Sequence, residues 1–181
     1  MGLFMDPKNY LNRHDEKERY LEHNNDVNDP GYQKFVSPIV NCIMKNFTTE
    51  NIGLDFGSGT GPVITKMLRD QGYNICTYDP FFDNRPELLK NKYNYIACCE
   101  VMEHFRNPAE EFSLLRSMLN HKGKLICMTE IYSDSIGFTR WYYKDDPTHV
   151  FFYHKGSLEW IKNRFNFSSL TIDKRLIVFT V

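Results

Sequence analysis

Residues 51–61, Asn-Ile-Gly-Leu-Asp-Phe-Gly-Ser-Gly-Thr-Gly, constrain this chain more than any other stretch. Ile52, Leu54 and Phe56 predict a short buried strand, and Gly57, Gly59 and Gly61 then let the main chain turn sharply and lie flat against a ligand. Pro62 suits the first position of a following helix, where a missing N–H costs nothing, and Val63, Ile64, Met67 and Leu68 continue a helical apolar face. A second strand over 73–78 delivers Asp79 at its carboxyl end. In an open parallel sheet that end lies beside the glycine turn, where an acid can accept two hydrogen bonds from a ribose diol.

The dinucleotide fingerprint G-x-G-x-x-G would need its third glycine at Pro62, and this chain reads G-x-G-x-G instead, which argues against NAD. Asp55 to Gly61 resembles the first motif of the class I S-adenosylmethionine-dependent methyltransferases: an acid, any residue, then G-x-G-x-G. The resemblance implies S-adenosyl-L-methionine as cofactor, with S-adenosyl-L-homocysteine as product. It places Asp55, Gly57, Ser58, Gly59, Thr60 and Gly61 at the methionine end of the donor, and Asp79 and Pro80 at the ribose. A second anchor follows the predicted strand 93–99. Glu100-Val101-Met102-Glu103-His104, with Pro108 beyond, resembles an acid, Val or Leu, any residue, Glu-His and a following Pro, common among quinone-biosynthesis and related small-molecule methyltransferases. That resemblance puts Cys99, Glu100 and Val101 near the transferred methyl group.

The fold so implied is α/β and Rossmann-like, a mostly parallel sheet with an antiparallel C-terminal hairpin over 167–172 and 176–181. The interval from Asp79 to Tyr93 is too short for the family's usual helix and full strand, so the third strand is expected to be abbreviated, near Glu87 to Leu89, or missing. At 181 residues the chain fits one domain. Within it, 1–48 reads as an N-terminal helical cap, 49–131 as the donor-binding half, 132–154 as an acceptor-side loop, and 155–181 as a closing helix and hairpin.

Asn12 to Asn25 is strongly charged and predicts a short helix starting near Asn12 or Asp15. In small methyltransferases such a segment often folds over the cofactor, which makes Arg19, Tyr20, His23 and Asn24 candidates to meet donor or acceptor; Tyr20, large and amphipathic, comes first. Asp29-Pro30-Gly31 opens a helix whose apolar positions run from Phe35 to Phe47, either kinked at Pro38 or starting with Ser37 as cap. Pro108 opens another, carrying Phe112, Leu115, Met118 and Leu119 and ending at His121-Lys122-Gly123, before a strand over 124–130.

A net charge of -1, from 22 basic and 23 acidic residues, gives no footprint for a nucleic-acid partner. No apolar run approaches the ~20 residues of a membrane span. Five cysteines without a C-x-x-C pair read as small buried thiols in a reducing, cytoplasmic setting. The aromatic excess from Phe138 to Tyr153 fits a lined pocket or an ordinary packed cap; the Trp-Tyr…Asp-Pro-Thr-His-Val pattern resembles a segment bordering the acceptor in a bacterial subgroup of these enzymes, which implies Trp141, Tyr142, Tyr143 and His149 as substrate-binding residues.

A sulfonium methyl group is already electrophilic, so placement is the protein's main task. An oxygen or nitrogen acceptor that must lose a proton points to His149 first and His104 second as base, with Asp146 beside them as a third catalytic candidate. The competing role for His149 is structural, its ring paired with Asp145 or Asp146. Asp146 with His149 is too small a set for a metal site, and no metal is expected. Three function classes remain open on the sequence: methyl transfer to a small-molecule acceptor that may be aromatic, a non-catalytic donor-binding regulatory or partner domain, and a nicotinamide-dependent oxidoreductase.

Overall fold

Side-chain alternation along the central strands divides the core into two layers, because neighbouring strand residues point to opposite faces. The computed structural model describes residues 2–22, 25–135 and 137–181. A six-stranded sheet has the order β3-β2-β4-β5-β8-β7, with β2 (Ile52–Phe56), β3 (Asn74–Tyr78), β4 (Tyr93–Cys99), β5 (Leu119–Met128), β7 (Ser169–Asp173) and β8 (Leu176–Thr180). The first four are parallel, and β8 runs antiparallel to both β5 and β7. On one face Leu54, Ile96, Cys98, Leu125, Cys127 and Phe179 pack with Phe112 and Leu115 of α4 (Pro108–Ser117) and with Leu158 and Ile161 of α5 (Lys155–Arg164). On the other, Ile75, Tyr95, Ala97, Ile126, Met128 and Val178 meet α2 (Pro30–Asn46) and α3 (Val63–Asp70). Cys98 and Cys99 accordingly belong to different layers. All five cysteines are free thiols; Cys98 and Cys127 are fully buried and the other three half-buried.

Helix α2 runs unbroken through Pro38 rather than starting there. Pro38 has no N–H for the Lys34 carbonyl, and the Ser37 hydroxyl donates to that oxygen instead at 2.8 Å. Asp29 caps the helix through Gly31 N–H. Helix α4 stops at Ser117, earlier than the sequence suggests, and β5 begins at Leu119 with a register shift opposite β4 before Lys124. Lys122 absorbs the turn at φ 62°. The interval after β3 resolves in favour of no third strand: Pro86–Lys90 forms a 3-10 turn. Arg85 clasps it to the sheet edge, donating to the Thr77 carbonyl at 2.6 Å and to Asp83 at 2.8 Å.

Two further elements sit above the carboxyl ends of the parallel strands. Helix α1 (Arg13–Leu21) is capped by Asn12, whose Oδ1 accepts from His14 and Asp15 N–H, both at 3.0 Å. A two-residue strand β1 (Leu3–Phe4) pairs with β6 (Phe151–Phe152), tying the N-terminus to the long loop after β5. Among the described residues no helix is long and apolar enough to cross a membrane.

Candidate functional site

Because β2 is flanked by β3 on one side and β4 on the other, the crossovers leave it in opposite directions and a crevice opens at its carboxyl end. The glycine turn forms one wall. Gly57 and Gly59 adopt φ 76° and 64°, a region costly for other residues, and a Cβ on Gly57 would strike Val101 at 2.4 Å. Gly57 and Ser58 N–H donate to the Tyr78 carbonyl at 2.8 and 3.2 Å, binding the turn to the end of β3. Asp79 lies there, 6% exposed. Its Oδ2 accepts from Gly59 N–H at 2.9 Å, and its Oδ1 from Phe81 and Phe82 N–H at 2.8 and 3.0 Å. An ionised carboxylate has about four acceptor sites, so three are engaged and one is left for a hydroxyl. The carboxylate therefore also shapes the loop that borders the crevice.

The crevice continues into a cavity of about 1120 Å³ whose lining includes Ser58, Gly59, Thr60, Asp79, Pro80, Cys99, Glu100, Val101 and Tyr20. That volume exceeds what one drug-sized ligand needs and fits a donor and an acceptor side by side. Its far end is formed by His104, Tyr142, Tyr143, Asp146 and His149. Glu100, where β4 gives way to the loop, holds φ 51°, an uncommon conformation for a non-glycine residue, and persists because its N–H donates to Met128 at 2.8 Å.

Three residues expected at the site lie off the cavity wall. Asp55 is absent from the cavity wall: it is buried behind the turn, accepts from the Thr65 hydroxyl at 2.8 Å, and thereby anchors α3. Desolvation pushes its carboxyl up to about 6. Gly61 is likewise off the wall; a Cβ there would lie 1.7 Å from the Asn25 carbonyl oxygen, so the residue admits the N-terminal segment rather than a ligand. Trp141 packs in a satellite cluster with Tyr143, Phe152, Tyr132 and Phe138 and does not reach the cavity. Its neighbours Tyr142, 64% exposed, and Tyr143, buried, both line the cavity.

Helix α1 forms the roof, attached by charge more than by apolar burial. Arg13 donates to the Pro80 carbonyl at 3.0 Å and lies over the Phe81 ring. Arg106 donates to Leu11 and Glu16, and Arg19 pairs with Asp146 at 2.8 Å. Tyr20 meets Phe81 and His104 edge to face, its hydroxyl donating to Glu16 at 2.9 Å. His23 and Asn24 lie outside the described residues. Asp146 also accepts from the Thr148 N–H and hydroxyl, and these bonds hold its carboxyl far below the ordinary carboxylate range despite desolvation. It is a pin between loop and roof, unsuited to take up a proton at neutral pH, which corrects the expectation of a catalytic part for it.

Behind the cavity end lies a buried polar cluster that only the fold reveals. The Tyr143 hydroxyl contacts Glu103 Oε1 at very short range, Glu100 Oε2 at 3.2 Å and Thr129 at 3.0 Å. Arg175 donates to Glu100 at 2.6 Å and pairs with Glu130 at 3.2 Å. Burial pushes the Glu100 carboxyl up to about 8 and that of Glu103 up to about 7. His104 and His149 adjoin the cluster, ring centroids 4.9 Å apart. His104 Nδ1 sits 2.9 Å from the Thr148 carbonyl and His149 Nδ1 2.6 Å from that of Tyr143, so the structural partner of His149 is a main-chain carbonyl rather than the Asp145 or Asp146 carboxylate. Glu103 stood in the sequence within Glu-His, but nothing local marked it as wholly buried beside a tyrosine 40 positions away.

A parallel sheet closed by an antiparallel hairpin, with a glycine turn and a carboxylate at the switch point, defines the class I methyltransferase fold. Residues 28–172 match the family model described as a methyltransferase domain. The chain belongs to that family of S-adenosylmethionine-dependent methyltransferases. A search of curated proteins by sequence returns no match. Similar solved structures include a SAM-dependent methyltransferase from Archaeoglobus fulgidus, 15% identical with TM-score 0.64, covering 82% of this chain and 94% of that one. Magnesium protoporphyrin IX methyltransferase from Synechocystis PCC 6803, solved with bound SAH, is 16% identical with TM-score 0.54, covering 92% and 94%. Human N-acetylserotonin methyltransferase, solved with SAM, is 11% identical with TM-score 0.60, covering 91% of this chain and 56% of that one. The chain spans about half the length of several other similar methyltransferases, 49–56%. The bare-peptide turn, the buried Asp79 and the cavity volume fit S-adenosylmethionine as the family's donor.

Proposed function

We propose that this protein transfers a methyl group from S-adenosylmethionine to a small-molecule acceptor at an oxygen or nitrogen that carries a proton. The donor supplies an electrophilic methyl group on a sulfonium; binding, orientation and proton loss fall to the chain's own residues. Gly57 to Thr60 offer main-chain contacts to the methionine end, and Asp79 with Pro80 receives the ribose. Cys99, Glu100 and Val101 border the space between donor and acceptor. Tyr20 closes that space from above, and Tyr142 and Tyr143 give the acceptor an apolar wall. Holding the two reactants against each other can supply roughly 7–11 kcal/mol of the barrier reduction, so no covalent catalyst is needed.

The observation that carries the reading is the continuity of one cavity from Gly59 and Asp79 to His104 and His149. The acceptor's proton is lost at that histidine end, and His149 is the residue whose removal should stop turnover. Two of the similar enzymes are named for magnesium protoporphyrin IX and N-acetylserotonin, in keeping with an acceptor of metabolite size. The test is incubation with methyl-labelled donor and fractionated metabolites. Labelled product from wild type and none from His149→Ala supports the reading; donor binding with no labelled product from any fraction would leave a donor-binding domain in its place.

A further inference from the structure

We infer that Glu103, His104 and His149 form a binding site for one divalent transition-metal ion at the acceptor end of the cavity, a site whose role rests on the methyl-transfer reading above. One ligand atom from each lies within 4.8 Å of the other two. Glu103 and His104 come from the 3-10 turn Met102–His104 after β4, and His149 from the loop after β5, so the fold assembles the set from distant segments.

Each ring sets one nitrogen against a main-chain carbonyl. A carbonyl oxygen only accepts, so the Nδ1 atoms facing the Thr148 and Tyr143 carbonyls carry the protons, and the lone pair of each ring is on Nε2. Metal-binding histidines are held by this same arrangement, the second nitrogen donating to a carbonyl. An independent observation comes from Glu103. Its side chain is 0% exposed, Oε1 accepts from Tyr143, and Oε2 has no hydrogen-bond partner among the described residues. A carboxylate oxygen so placed beside two imidazoles is accounted for by a cation.

Two imidazoles and one carboxylate suit zinc, iron(II), manganese or cobalt better than magnesium or calcium, which prefer oxygen. Bonds of about 2.1 Å in a tetrahedral site put ligand atoms ~3.4 Å apart, so the three side chains draw together on binding. His104 and His149 both line the cavity, which leaves a remaining position accessible to an acceptor. An ion there polarises an acceptor hydroxyl and makes its proton easier to lose. The proton passes to water, the methyl carbon bonds to the acceptor oxygen, and the electron pair of the broken carbon–sulfur bond stays on sulfur. In this account His149 acts as a ligand rather than as the proton acceptor.

The test uses chelator-treated, dialysed full-length protein, titrated with Zn2+ in a calorimeter and with Co2+ in a visible spectrometer. One equivalent of each should bind, with Co2+ ligand-field bands. His149→Ala and Glu103→Gln should each lose ~100-fold or more in Zn2+ affinity, while His14→Ala, on the exposed face of α1, binds as wild type. S-adenosylhomocysteine titration and circular dichroism on every sample report folding. Wild type that takes up neither metal, or folded variants that bind Zn2+ as tightly as wild type, would overturn the site. Homocysteine-nucleoside binding without metal uptake strikes this inference alone; absence of both strikes the methyl-transfer reading as well.

Discussion

Replacing Asp79 with asparagine changes one atom and tests both duties of that side chain. The carboxylate accepts three main-chain N–H bonds at 2.8–3.0 Å, one from Gly59 and two from Phe81 and Phe82. An asparagine can keep its oxygen on the pair, but its amide nitrogen then faces the Gly59 N–H, donor against donor. The loss is at least one charge-assisted bond, ~1.5–3 kcal/mol, with the surviving two weakened to neutral strength. Stability should therefore fall by roughly 2–4 kcal/mol. In a domain of this size that lowers Tm by roughly 5–15 °C. The glycine turn loses its tether to the loop after β3, and the ribose loses its acceptor, so affinity for S-adenosylhomocysteine should drop at least about tenfold, or ~1.4 kcal/mol. Urea unfolding and calorimetric titration of Asp79→Asn measure the two effects separately. A variant with the wild-type urea midpoint and the wild-type affinity would refute the reasoning.

Other outcomes follow from single contacts. Asp55 has its carboxyl raised by desolvation from 3.8 to about 6, so the contribution of this group to stability is fully present below pH 3.8 and lost as pH rises through 6. Relative to Asp55→Asn, wild type should lose roughly 2 kcal/mol of unfolding free energy between pH 4 and 7, and parallel stability curves would contradict this. Gly61→Ala places a methyl 1.7 Å from the Asn25 carbonyl oxygen, main chain that cannot swing aside; a cost of about 1–3 kcal/mol and weaker donor binding are expected by the same two assays, whereas a neutral substitution would mean that the N-terminal segment crosses elsewhere. The roof pairs Arg19–Asp146 and Arg106–Glu16 are partly exposed, worth up to ~1 kcal/mol each. Raising salt from 0.1 to 1 M shortens the screening length from about 10 to 3 Å, so stopped-flow release of the donor product should quicken a few-fold in wild type and less in Asp146→Asn. Salt-independent release would show that α1 does not cover the site.

The sheet, the glycine turn and the position of Asp79 were legible because each depends on local chemistry: a mostly apolar run in 93–99, glycines where φ is positive, an acid ending a strand. The Asn12 cap of α1 and the hairpin at 169–180 were legible for the same reason. What escaped depends on partners distant in sequence. Trp141 has a pocket-like composition around it, yet the β1–β6 pairing folds it against Phe152, and strands of two residues leave no periodic trace. Leu119 continues the apolar spacing of α4, but pairing with Tyr93 of β4 draws it into an extended chain. Asp146 stood as a catalytic candidate in sequence, but Arg19 and Thr148 occupy its carboxylate. The Glu100–Tyr143–Glu103 contact joins three residues whose separate contexts gave no sign of one another.

The central claim is that the mouth of β2 binds an S-adenosyl nucleoside between bare peptide and the Asp79 carboxylate. Calorimetric titration of the wild-type protein with S-adenosylhomocysteine, repeated with NAD, addresses it directly. Saturable one-to-one binding of the homocysteine nucleoside, displaced by S-adenosylmethionine and untouched by NAD, is the predicted result. A tenfold preference for NAD, or no heat from either ligand, would contradict it.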